Sequence, residues 1–182
     1  MTRARPTLPR VGPRLAASAA GALLLVCAPD ARGDDLIVSR PGAHPDYIVE
    51  LEPEAIVLFG RPLDDGPGVG VRASIPVMKN GFIPSLNNVP AISLGFSRSP
   101  IGDHRAPFYA PAVLQWSFWL SQHWSVLGEA GVFLVFGDGT RTQLQPAFMG
   151  GGRFHLTDRI AITARISLPT TPSVGVGVSF FL

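Results

Sequence analysis

From Tyr47 to the end of the chain, apolar and polar residues alternate with period two in stretches separated by turn signals. Eight strands are predicted: 47–59, 68–77, 90–97, 112–120, 124–136, 143–156, 160–168 and 173–182. The last shows the pattern most plainly. Val174, Val176, Val178, Phe180 and Leu182 share one face, and Gly175, Gly177 and Ser179 share the other, with Phe181 as the exception. Between the strands lie Asp64-Asp65-Gly66-Pro67, Lys79-Asn80-Gly81, a long loop from Arg98 to Pro111, Ser121-Gln122-His123, Gly137-Asp138-Gly139, Thr157-Asp158-Arg159 and Pro169-Thr170-Thr171-Pro172. Proline, glycine and β-branched residues are spread so evenly that no window past Ala28 sustains a 3.6-residue period, so helices are not predicted.

Other strands divide in the same way. On the seventh, Ile160, Ile162, Ala164, Ile166 and Leu168 alternate with Ala161, Thr163, Arg165 and Ser167. On the first, Val49, Leu51, Ala55, Val57 and Phe59 oppose Glu50, Glu52 and Glu54. The fifth is apolar on both faces from Val132 to Phe136. Alternation alone fits either a soluble barrel with an apolar interior or a membrane barrel with an apolar exterior. The polar faces decide. They are rich in Gly, Ser, Thr and Gln and poor in charge, a poor coat against water but a fair lining for a narrow interior. Their charges nearly balance: Glu50, Glu52, Glu54 and Glu129 against Arg72, Arg153 and Arg165. Strands of about ten residues suit a tilted span of a bilayer. The expected fold is therefore all-β, an eight-stranded antiparallel up-and-down transmembrane β-barrel over 47–182, preceded by an irregular segment at 34–46.

The beginning of the chain is consistent with export. Arg3, Arg5, Arg10 and Arg14 precede an apolar stretch from Leu15 to Ala28, and Ala31-Arg32-Gly33 offers a cleavage site, so residues 1–33 are expected to be a signal peptide. The apolar stretch is shorter than the ~20 residues of a spanning helix. Its removal changes the charge from +2 to a small negative value, because five of the 15 basic residues lie in it and only one of the 13 acidic ones does. The basic balance of the whole chain thus points to export and not to a nucleic-acid partner. The single cysteine, Cys27, leaves with the signal, so no disulfide is expected.

Little in the sequence carries chemistry. The seven charges Glu50, Glu52, Glu54, Arg72, Glu129, Arg153 and Arg165 are expected to form a network in the lumen, as a salt-bridged filling or, alternatively, as an ion path. Gly150-Gly151-Gly152 runs on into strand, whereas a phosphate-cradling loop must open a helix. Asp103-His104-Arg105, in the longest loop, lacks the further ligands of a metal site. No cofactor, metal or catalytic set is expected.

The signal peptide, the eight strands, the Leu120–Trp124 turn, the Arg153–Arg159 hairpin and the terminal alternation together resemble the small outer-membrane barrels of the OmpA and OmpX type. The resemblance implies both termini in the periplasm, Ser121–His123 and Thr157–Arg159 as periplasmic turns, and the longer loops outside. It implies that Val174, Val176, Val178, Phe180 and Leu182 act as a C-terminal signal to the barrel-assembly machinery, with Leu182 standing where phenylalanine is usual. It also implies the outer membrane of a Gram-negative bacterium, with lipid and lipopolysaccharide as surroundings. The expected role is structural or surface-interacting through the outer loops. A narrow pore for small solutes or ions, a lipid A-modifying enzyme using His155, and a soluble lipocalin-like binder are the alternatives.

Overall fold

Eight strands form where the alternation is sustained: β1 (Glu50–Leu58), β2 (Gly66–Pro76), β3 (Asn88–Arg98), β4 (Phe108–Trp119), β5 (Trp124–Gly137), β6 (Thr140–Thr157), β7 (Ile160–Leu168) and β8 (Ser173–Phe181). The structure is a computed structural model and describes residues 36–59, 66–99, 106–137, 140–168 and 172–182. The signal peptide, its cleavage site and Asp103-His104-Arg105 lie outside the described residues. Each strand pairs antiparallel with its neighbour in sequence, and β1 pairs with β8. The sheet is a closed barrel, which leaves no edge strand exposed.

Two prolines interrupt the ladders without ending the strands. The β1–β8 register breaks between Leu51 and Glu54, at Pro53, and the β3–β4 register breaks between Leu94 and Ser97, opposite Pro111. Proline has no N–H to donate. Pro111 and its neighbours were expected in a loop. They belong instead to β4, which starts at Phe108 and puts Tyr109 inside the barrel. Gly95 faces Pro111 across the ladder, where a Cβ would lie 2.9 Å from the proline ring. The small residue makes room for the ring. At the other end of the chain, β1 begins later than predicted, because the N–H groups of Ile48 and Val49 both turn to the Leu182 carbonyl, at 2.7 and 3.2 Å.

The apolar face of every strand points outward. Val57, Val71, Ile92, Leu94, Leu114, Leu134, Phe148, Ile162 and Val176 are 38–57% exposed, far more than a core residue. Aromatic groups ring this wall at two heights. Phe96, Phe108 and Phe136 stack at the end opposite the termini, with centroids 5.1 to 6.4 Å apart. Phe82, Trp116 and Phe118, with Trp124 and Phe154, cluster at the termini end. Tyr47, expected beside Trp124 in the inner ring, instead packs edge-on against Phe181 at 5.0 Å in the barrel mouth. Between the rings no outward-facing strand position among the described residues carries a charge; Arg98, over the Phe108 ring at 5.0 Å, marks the far edge. Along β4 the rings are separated by the stretch from Phe108 to Trp116 or Phe118. With ~3.3 Å per residue and a strand tilt near 40°, that is about 20–25 Å along the barrel axis, close to the ~25 Å apolar band of outer-membrane barrels.

Candidate functional site

The lumen holds the polar faces and divides into three layers. The middle layer is built from β1. Period-two geometry turns Glu50, Glu52 and Glu54 inward together, and β8 meets them with Gly175, Gly177 and Ser179. A Cβ at Gly177 would lie 2.8 Å from Cγ of Glu52, so the glutamate stem occupies the space the glycine leaves. Gly70 and Gly95 make the same kind of room for Glu54 and Arg72.

The structure brings all seven candidate charges together. Arg165 is the hub: its Nη1 donates to Glu52 at 2.5 Å and to Glu54 at 3.3 Å, and its Nε lies 3.2 Å from Glu129. Arg72 donates to Glu129 at 2.8 Å and lies 3.5 Å from Glu54. Arg153 binds Glu50 and is anchored by Thr163 and Ser117, at 3.3 and 3.4 Å. Neutral groups fill the remaining valences. Ser179 donates to Glu52 at 2.7 Å and Gln115 to Glu50 at 3.3 Å. No charged side chain of the network is more than 8% exposed. Ions this far from water are tolerated only when paired and hydrogen-bonded.

The flanking layers close the barrel. Toward the loop end, Leu58, Tyr109, Val113, Phe133, Val135, Ala147 and Met149 form an apolar plug. This accounts for the fifth strand's apolar run: Phe133 and Val135 point inward and Leu134 outward. A void of about 30 Å³, room for a water or two, lies between this plug and the charges, bordered by Glu54, Arg72, Arg165 and Ser167. Toward the termini end, Ile37, Val89 and Trp119 pack together with Tyr47 against them. Trp119 stacks on His155 at 4.1 Å, and Arg153 lies over Phe181 at 5.7 Å. The segment before β1 caps this mouth: Leu36 bridges to Ser121, and Asn87 N–H donates to Val38.

Two features escaped sequence reasoning. Ser125 and His155, on neighbouring strands, are bonded Oγ to Nε2 at 2.9 Å. Nδ1 of His155 has no partner among the described residues, and both side chains are 1% exposed, so the pair is shut off from solvent. The second is the plug residues, whose inward apolar side chains follow no simple pattern. Gly150-Gly151-Gly152 continues β6, and a Cβ on Gly151 would sit 2.3 Å from the Ala164 carbonyl oxygen. Gly151→Ala is expected to destabilise the barrel by about 1–3 kcal/mol through overpacking against rigid backbone, measured by urea unfolding.

The geometry can be set beside known proteins. No protein-family model and no curated protein matches the chain. Among solved structures, a computationally designed transmembrane β-barrel superposes with a TM-score of 0.56 at 12% identity, covering 80% of this chain and 99% of that one. The fold is that of a small transmembrane β-barrel. The outer membrane protein Ail of Yersinia pestis, solved in a phospholipid bilayer nanodisc, gives a TM-score of 0.51 at 13% identity, covering 75% of this chain and 100% of that one. The expected likeness to small barrels of the OmpA and OmpX type fits these neighbours, and at such identities it is a likeness of fold.

Proposed function

We propose that the chain is an integral outer-membrane barrel of a Gram-negative bacterium with a side-chain-filled lumen, acting structurally or through its outer loops. One observation carries this: the barrel is inverted relative to a soluble one, with an uncharged apolar wall outside and seven charges inside. Lipid solvates such a wall, and water does not. A lipocalin-like binder needs the opposite arrangement, an apolar cavity within a polar wall. The two plugs and the paired charges favour a filled lumen over a conducting one, and the burial of Ser125 and His155 speaks against their use on lipid. With the interior occupied, contact with partners falls to the ends and the outer wall. Val174, Val176, Val178, Phe180 and Leu182 all face outward along β8, as a strand presented to the assembly machinery would require.

The loops and the lumen are tested together. Replacing residues 100–105 by a short Gly-Ser turn is expected to leave a folded barrel and abolish adherence of cells displaying it to host-cell or matrix surfaces. In planar bilayers the wild-type chain is expected to give no steady single-channel steps. Unchanged adherence would contradict the loop role, and steady steps would contradict the filled lumen.

A further inference from the structure

The barrel wall opens at one place near the termini. Pairing of β1 with β2 stops at Glu50↔Ser74. Beyond it, Ile48 and Val49 turn away to the Leu182 carbonyl, while Val77 N–H turns the other way, to the Pro90 carbonyl at 3.0 Å. Pro76, between them, has no N–H to offer across the gap. The two strands part, and a cleft of about 470 Å³ lies between them. This is within the ~300–1,000 Å³ range of small-molecule sites.

The cleft has two chemical zones. Its floor is Val89, fully buried, and its walls are Tyr47, Val77, Met78 and Leu182. Val77, Met78 and Leu182 are 39–54% exposed, so the apolar lining runs out onto the apolar wall of the barrel. At its rim Lys79, the only lysine of the chain, pairs with Asp46 at 3.1 Å, both side chains largely exposed. His44 Nε2 lies 2.6 Å from the Lys79 carbonyl and ties that part of the rim to the segment before β1. Three residues further along the same connection, Phe82 packs on Trp116 in the inner aromatic ring. Rings of this kind lie at the headgroup level of a bilayer.

An apolar slot that opens sideways at headgroup depth, with one cation and one anion side by side at its rim, matches a zwitterionic lipid. We propose that the cleft seats one acyl chain of an inner-leaflet phospholipid with a phosphoethanolamine-type headgroup, its phosphate on Lys79 and its ammonium on Asp46. The proposal rests on the outer-membrane reading and on the periplasmic placement of the termini. Exchanging the Asp46–Lys79 contact for two lipid contacts loses little, because an exposed ion pair of this kind contributes at most about 1 kcal/mol.

The test is native mass spectrometry of the barrel refolded into vesicles of equimolar phosphatidylethanolamine and phosphatidylglycerol, then extracted in mild detergent. One phosphatidylethanolamine per chain is expected to be retained, in about tenfold excess over phosphatidylglycerol. The double variant Asp46→Asn, Lys79→Met is expected to remove the preference. Met78→Trp, which fills the slot, is expected to remove retention of either lipid. No retained lipid, equal retention of both by the wild type, or retention unchanged by both variants would overturn the site. Unboiled gel mobility reports whether each variant has folded; if one has not, the wild-type ratio decides alone. A chain that never enters the vesicles would overturn the outer-membrane reading itself, an outcome distinct from an inserted barrel that retains nothing.

Discussion

Arg165→Met is expected to destabilise the barrel by about 3–5 kcal/mol, the usual consequence of stranding buried charge. Arg165 holds Glu52 and Glu54 through Nη1 and approaches Glu129 through Nε. Its loss leaves Glu52 on Ser179 and a distant Arg153, and Glu54 on Arg72 alone. Methionine fills much of the volume, so the change reports on charge more than on a cavity. Adding Glu54→Gln to Arg165→Met is expected to restore part of the loss by removing one stranded carboxylate. The measurement is urea-induced unfolding in lipid vesicles. Lys79→Ala serves as the contrast. Lys79 and Asp46 are as close as the buried pairs but exposed, and their separation is expected to change stability by less than about 1 kcal/mol. Equal losses for Arg165→Met and Lys79→Ala would contradict a sealed, water-poor lumen.

Leu94→Arg is expected to destabilise the folded, inserted state by about 2–4 kcal/mol and to reduce the amount of barrel recovered from membranes. Leu94 faces outward on β3, 57% exposed, and pairs with Ala112 on β4, midway between the aromatic rings. In water an arginine at such an exposed position is nearly neutral, within about 0.5 kcal/mol. In a bilayer its guanidinium must be desolvated or must reach the interface. The same substitution at Leu156, beyond the inner ring and 54% exposed, is expected to change stability far less, because the cost falls toward the interface. Comparable small effects at both positions, measured by the same urea titration, would contradict a lipid-facing wall.

The strands and their faces were legible because a half-buried strand has a strict period of two and no other local structure produces it. Parity alone set Glu50, Glu52, Glu54, Arg72, Glu129, Arg153 and Arg165 on inward faces. It could not say which arginine meets which glutamate. That depends on the strand stagger, which carries Arg165 of β7 to Glu52 of β1 across 113 residues. Phe108 to Pro111 was misplaced in a loop because two prolines within five residues are ordinary turn signals; here Pro111 is tolerated where the ladder to β3 is interrupted. The plugs were hidden for a different reason. Tyr109, Trp119, Phe133 and Phe181 are apolar on inward faces, against the rule the other strands follow, and only their convergence in space gives them a role. Phe181 stood out in the sequence as an exception to the terminal alternation, and the structure puts it over Arg153 and against Tyr47. The cap from Leu36 onward has no periodicity at all, since it docks through backbone bonds to Leu120 and Asn87, far along the chain.

The claim that this chain is a membrane-inserted barrel meets its most direct test on a gel of the membrane fraction, run with and without boiling. A closed barrel with no free edge resists detergent until heated, so the unboiled sample is expected to migrate faster than the boiled one. Recovery of the chain in the soluble periplasm, with the same mobility before and after boiling, would contradict the account.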